Sequence, residues 1–238
     1  MDACALCLRP EKLQMSHIIP EFFYSSVYGP SHTFNVYRPD RLHLGPPLQK
    51  GLKERLLCRC CEGRLQKWED WFARFWYGKV RALPDPAPPE LTKLAVEYDK
   101  FKLTLLSILW RAGQSKQEAF RHVQLGPHAE VLRRMLWSSD PGGRDKYAVL
   151  AHILYWQHRS PAYEVVSSPT TGRQWGNRTY LFVFGGCAWY FFMSTANAVP
   201  PEISGTFLDP EGVLCLPALP LATFSPMKHL LDARRRLS

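Results

Sequence analysis

Two cysteine pairs, Cys4-Ala-Leu-Cys7 and Cys58-Arg-Cys-Cys61, constrain this 238-residue chain more than any other feature. A Cys-x-x-Cys turn points two sulfurs at one position and frees backbone amides to bond them. Two such turns complete the tetrahedral thiolate set that zinc favours. The interval between the pairs is long, but the cost of closing a loop grows only slowly with its length. Cys60 offers a third sulfur in the second turn. Only Cys58 and Cys61 keep the two-residue gap of the first pair, which leaves Cys60 a bystander. The spacing therefore predicts one structural Zn²⁺ held by Cys4, Cys7, Cys58 and Cys61.

The remaining cysteines fit this reading. Cys187 and Cys215 lie in apolar stretches and are expected as packing residues. The N-terminus has no basic segment followed by an apolar stretch, and no apolar run approaches the roughly 20 residues that a bilayer requires. A cytoplasmic protein with no membrane partner is expected, and there seven cysteines argue for metal binding rather than a disulfide framework.

Residues 1–77 contain all the zinc-ligand candidates. After Cys61, the residues Leu65, Trp68, Trp71, Phe72 and Phe75 mark one helical face, so the second Cys turn opens a helix and makes a treble-clef arrangement. The aromatic stripe, with Trp76, is either a seam against a neighbouring helix or a surface for stacked bases. Residues 78–90 include Leu83-Pro-Asp-Pro-Ala-Pro-Pro89, which forbids regular helix and reads as a linker. Helices are expected over 91–137, with Leu103–Trp110 apolar nearly all round, followed by strands from about residue 160. The strand candidates are Tyr163–Val166, Tyr180–Phe184 and Ala188–Met193, the last two joined at Gly185-Gly186. The predicted class is α+β: a zinc-bound N-terminal unit, a helical segment and a small antiparallel sheet. A short helix is also expected over Pro226–Arg235.

The segments Cys4-x-x-Cys7, Ser16-His17-Ile-Ile-Pro20 and Leu56-Leu57-Cys58-x-x-Cys61-Glu62 resemble the frame of zinc-containing HNH endonucleases, which are ββα-metal enzymes. The wider chain, including Tyr98-Asp-Lys-Phe-Lys102, Ser107-Ile-Leu-Trp-Arg111 and Leu125-Gly-Pro-His128, is similar to a subgroup of bacterial proteins labelled only as HNH-like. The resemblance brings functional information for the first third alone. It implies His17 as the general base. Ser16 stands where the family has an acidic residue, Glu62 stands where it has a ligand histidine, and no clear Asn marks the middle position.

A carboxylate suits a hard cation, so Glu62 would hold Mg²⁺ or Mn²⁺, helped by Ser16 or by Glu69, which returns to nearly the same helical face. Glu69 reads equally as an exposed helix carboxylate, and His17 as a histidine bonded within its own hairpin. Lys53, Arg55 and Arg59 are the candidate phosphate contacts. Arg111 would present its charge to a ligand or pair with Asp99 or Glu97 in the core. His128 meets a phosphate or merely starts a helix.

Thirty Lys and Arg against 21 Asp and Glu give a formal charge of +9, which favours polyanionic partners. Two functions follow from these expectations. One is a metal-dependent HNH-like endonuclease hydrolysing DNA, with a role in bacterial defence or a mobile element. The other is a noncatalytic zinc module that binds nucleic acid or a partner protein. The first requires His17 and Glu62 to face a common basic cleft. A homo-oligomer is compatible with both.

Overall fold

The computed structural model describes residues 2–29, 31, 49–86, 88, 91–157, 159–194 and 201–224. The expected helix at Pro226–Arg235 lies outside them. Three α-helices and several small sheets make a mixed α+β fold.

Strand β1 (Leu13–His17) pairs antiparallel with β2 (Lys53–Cys58) in a register that sets Leu13 opposite Cys58 and His17 opposite Lys53. A bulge between Gln14 and Met15 re-aims the end of β1. Helix α1 (Arg59–Tyr77) starts directly after Cys58, as the apolar stripe implied, and buries Cys61, Leu65, Phe72 and Trp76.

The next segment departs from expectation. Thr92–Ala95 forms a strand, β3, although its apolar residues suggested the start of a long helix. Its partner is Val213–Leu216, more than a hundred residues away, and no local pattern could announce that pairing. Helix α2 (Tyr98–Gln114) then runs through the centre, with every residue from Phe101 to Ala112 buried. Helix α3 (His128–Ser138) follows a non-helical stretch that includes a short 3-10 turn at Glu118–Phe120, so the region 91–137 is not continuously helical. Arg111 of α2 pairs with neither Asp99 nor Glu97. Asp99 in the first turn and Glu97 just before it sit at the other end of the helix, roughly 18–21 Å away at 1.5 Å per residue.

The largest sheet begins earlier than expected, at β4 (Val149–Tyr155), and continues with β5 (Ser167–Gln174), β6 (Asn177–Phe184) and β7 (Cys187–Phe192). Val213–Leu216 is β8, and Ala218–Pro220 is β9. The order is β5-β6-β7-β4-β9, with only β4 and β9 parallel. Tyr163–Val166, expected as a strand, is a turn, and β5 starts just after it. The β6–β7 hairpin closes at Gly185-Gly186, whose φ values of 62° and 79° suit a tight two-residue turn. A Cβ on Gly185 would lie 2.8 Å from the Phe23 ring, so this position also needs glycine for space.

That turn is where the N-terminal elements meet the sheet. Trp76 Nε1 donates to the Gly185 carbonyl at 2.9 Å, and Phe23 lies 4.5 Å from Phe184. Phe72 stacks on Phe101 of α2 at 4.8 Å. The aromatic stripe of α1 is thus a packing seam within the main buried cluster, and two smaller clusters, around Leu154 and around Ala148, lie apart from it. Leu83, within the proline-rich segment, joins the main cluster. Cys187 and Cys215 are buried packing residues, as expected, and Cys60 is exposed.

Candidate metal centre and the His17–Glu62 region

The first cysteine turn is a tight knuckle. Leu8 N–H donates to the Cys4 carbonyl at 2.8 Å with Leu8 at φ 63°, and Cys4 N–H closes on Arg9 O at 2.9 Å. Ala5 N–H bonds Leu56 O at 3.0 Å and fastens the knuckle to β2. Cys58 ends β2 and Cys61 sits in the first turn of α1, so the hairpin and helix deliver the second pair to the first.

All four sulfurs lie within 4.8 Å of one another, and Cys7 and Cys58 are 3.9 Å apart. A tetrahedral ion with 2.3 Å bonds sets its thiolates about 3.8 Å apart, so the cluster can hold one metal ion such as zinc. The separation is too long for a disulfide. Burial pushes the Cys4 thiol up, but amide donors from Cys7, Cys58 and Leu6 outweigh it and leave the thiol lowered, toward the thiolate a metal needs.

Beside this cluster, Ser16 on β1 is 1% exposed and its hydroxyl donates directly to Glu62 Oε1 on α1. Burial raises the Glu62 carboxyl, partly offset by the Ser16 hydroxyl and the charge of Arg111. Glu69, two turns further along α1, does not join Glu62 as a second ligand. It accepts from Arg111 Nη2 at 2.5 Å.

Arg111, 1% exposed, also donates through Nη1 to His17 O at 2.7 Å and through Nε to Ser107 O at 3.3 Å. One buried guanidinium therefore ties β1, α1 and α2 together and supplies a fixed positive charge beside both carboxylates.

His17 turns the other way. Successive strand residues point to opposite faces, so Ser16 meets α1 while His17 meets the segment after β1. Its Nε2 is 2.6 Å from Glu21 Oε2. Glu21 in turn accepts from Tyr28 Oη and from Gly51 N–H at 3.2 Å. Burial lowers the imidazole, the Lys53 charge lowers it further, and Glu21 opposes them without reversing the sign. The imidazole thus lies below its ordinary value.

The candidate phosphate contacts lie on β2 and at the start of α1. Lys53 faces His17 across the hairpin. Arg55 donates to Leu13 O at 3.4 Å and lines a depression of about 370 Å³ with Asp2, Glu11 and Lys12. Arg59 is exposed at the start of α1. His128 starts α3 and contacts Tyr147 Oη at 3.0 Å.

Glu21 was missed by sequence reasoning, because an i+4 spacing signals a contact only within a helix and His17 ends a strand. Glu69 was noticed for the wrong partner, because nothing local links it to Arg111.

No family model, curated protein or solved structure matches this chain. Among the described residues no helix is long and apolar enough to cross a membrane.

Proposed function

We propose that the N-terminal ββα unit is a treble-clef zinc module that engages nucleic acid without cutting it. Four thiolates with borderline-soft character select Zn²⁺ over hard cations, which supports zinc as the resident ion. The observation that carries the noncatalytic part is the engagement of the cation-site residues. Ser16 donates directly to Glu62, so part of the acceptor capacity that a cation would use is already engaged. Glu69 is neutralised by Arg111, whose guanidinium supplies the positive charge a divalent cation would bring. The net charge of +9 supports a polyanionic partner. In this reading the protein is cytoplasmic, with a second copy or another protein as a further partner.

One observation favours hydrolysis of DNA as a second reading. Burial lowers the His17 imidazole and Glu21 contacts it, an arrangement in which a base that deprotonates water could work. Glu62 would have to leave Ser16 to hold Mg²⁺ or Mn²⁺, and a defence or mobile-element role would suit that enzyme.

The test is DNA binding and plasmid cleavage with Mg²⁺, Mn²⁺ or no added metal, for wild type, His17→Ala and Glu62→Ala, with zinc content measured in each. Binding without cleavage is the expected result. Metal-dependent nicking that both substitutions abolish while zinc is retained would establish the hydrolytic reading instead.

A further inference from the structure

Helix α3 carries Glu130, Arg133, Arg134 and Trp137 at i, i+3, i+4 and i+7, on one stripe. This stripe borders both other parts of the zinc unit. Arg133 Nη1 donates to Leu6 O of the first cysteine knuckle at 2.7 Å. Arg64 of α1 donates to Trp137 O at 2.7 Å, and its guanidinium lies 4.7 Å from the indole centroid. Lys67, exposed, is one turn beyond Arg64.

The face so formed carries Arg64, Lys67, Arg133 and Arg134, and the Glu130 carboxylate on it is already paired with Arg133 and Arg134. Trp137 remains 41% exposed and Leu8 at the knuckle 58% exposed.

We infer that this face is a docking platform for single-stranded nucleic acid, with a base stacked on Trp137 and phosphates on Arg64, Lys67 and Arg134. The inference rests on the nucleic-acid reading above and names its surface and its substrate class. An exposed indole with a guanidinium fixed over its ring is a ready stacking surface. A duplex keeps its bases stacked inside and cannot use it, whereas a single strand can. The cation excess supplies the complementary charge. The β1–β2 hairpin is a poorer platform, since Arg55 is held to Leu13 O beside Asp2 and Glu11.

The experiment is fluorescence anisotropy of a labelled 20-nucleotide deoxythymidine strand and of a duplex of equal length, titrated with the full-length zinc-loaded protein. Variants are Trp137→Ala, Trp137→Phe, Arg64→Gln and, as a control, exposed Lys79→Ala. Stacking of one base makes Trp137→Ala cost about tenfold or more in affinity for the single strand. Trp137→Phe should recover most of it, Arg64→Gln should weaken binding, and Lys79→Ala should leave it within about twofold.

Wild-type binding that ignores Trp137→Ala and Arg64→Gln overturns this face while leaving the nucleic-acid reading intact. A duplex bound as tightly as the strand, or full competition by heparin at equal charge, overturns the stacking inference in favour of simple polyanion attraction. No binding to either probe removes both readings.

Discussion

Replacing Arg111 by Met should be among the most damaging single changes in the protein. The residue is 1% exposed, and its side chain reaches Glu69 Oε1 at 2.5 Å and His17 O at 2.7 Å. Methionine fills much of the same volume but leaves the Glu69 carboxylate and the His17 carbonyl without their donor. Removing one partner of a buried pair costs about 3–5 kcal/mol, a large share of a typical total of about 5–15 kcal/mol. Most of that cost is the stranded carboxylate, so removing it as well should recover stability. Arg111→Met with Glu69→Leu should therefore be more stable than Arg111→Met alone, with a coupling of about 2 kcal/mol or more. The assay is guanidinium unfolding of the zinc-saturated proteins, followed by tryptophan fluorescence. If Arg111→Met costs under about 1 kcal/mol, or the two losses simply add, the guanidinium is not the clamp described here.

Four further outcomes follow from the geometry. Purified protein should carry one zinc per chain by atomic absorption, and Cys58→Ser should lower both zinc content and thermal midpoint, whereas Cys60→Ser should change neither. In the native protein Cys60 should be the one rapidly alkylated thiol among the described cysteines, and mass mapping after a brief iodoacetamide pulse would locate it. Gly185→Ala should destabilise by about 1–3 kcal/mol in chemical unfolding, because it adds a Cβ at φ 62° and 2.8 Å from the Phe23 ring. Lys102, 1% exposed and donating to Tyr98 Oη and Gly143 O, is depressed to about 7, first by burial and then by the charge of Lys146. Between that value and the unfolded one the unfolded chain binds more protons. The penalty is thus full below pH 7 and fades as pH rises, so stability should gain about 2 kcal/mol from pH 7 to 9 through this group. Lys102→Met should flatten that gain in paired unfolding curves.

What could be read from the sequence was what short spacings encode. The cysteine pairs, the helix opening at the second pair and the turn at Gly185-Gly186 are each specified within a few residues. The strand Thr92–Ala95 was read as helix because its partner is Val213–Leu216, and the pairing rather than the local pattern decides its state. The candidate cation site was legible as a set of residue types but not as a set of contacts. Ser16 meeting Glu62 and Arg111 meeting Glu69 are decided by how α1 packs on β1 and on α2, across 46 and 42 residues of sequence. His17 could be named from its motif, but its orientation toward Glu21 follows from strand alternation and the loop that comes after.

The bond between Trp76 and the Gly185 carbonyl spans 109 residues of chain and sets an order of events during synthesis. Once residue 77 has left the ribosome the four thiolates are all available, and ligation can close the knuckle and hairpin early. The aromatic face of α1 must then wait for its cover. At about 5–20 residues per second, the hairpin that seals Trp76 and Phe23 emerges roughly 5–20 s later. During that interval a nascent chain could hold a metal ion while showing its largest rings to solvent, the state in which a chaperone would find it. A fragment cut at the proline-rich segment would remain in that state, which makes the full-length chain the proper object for every measurement above.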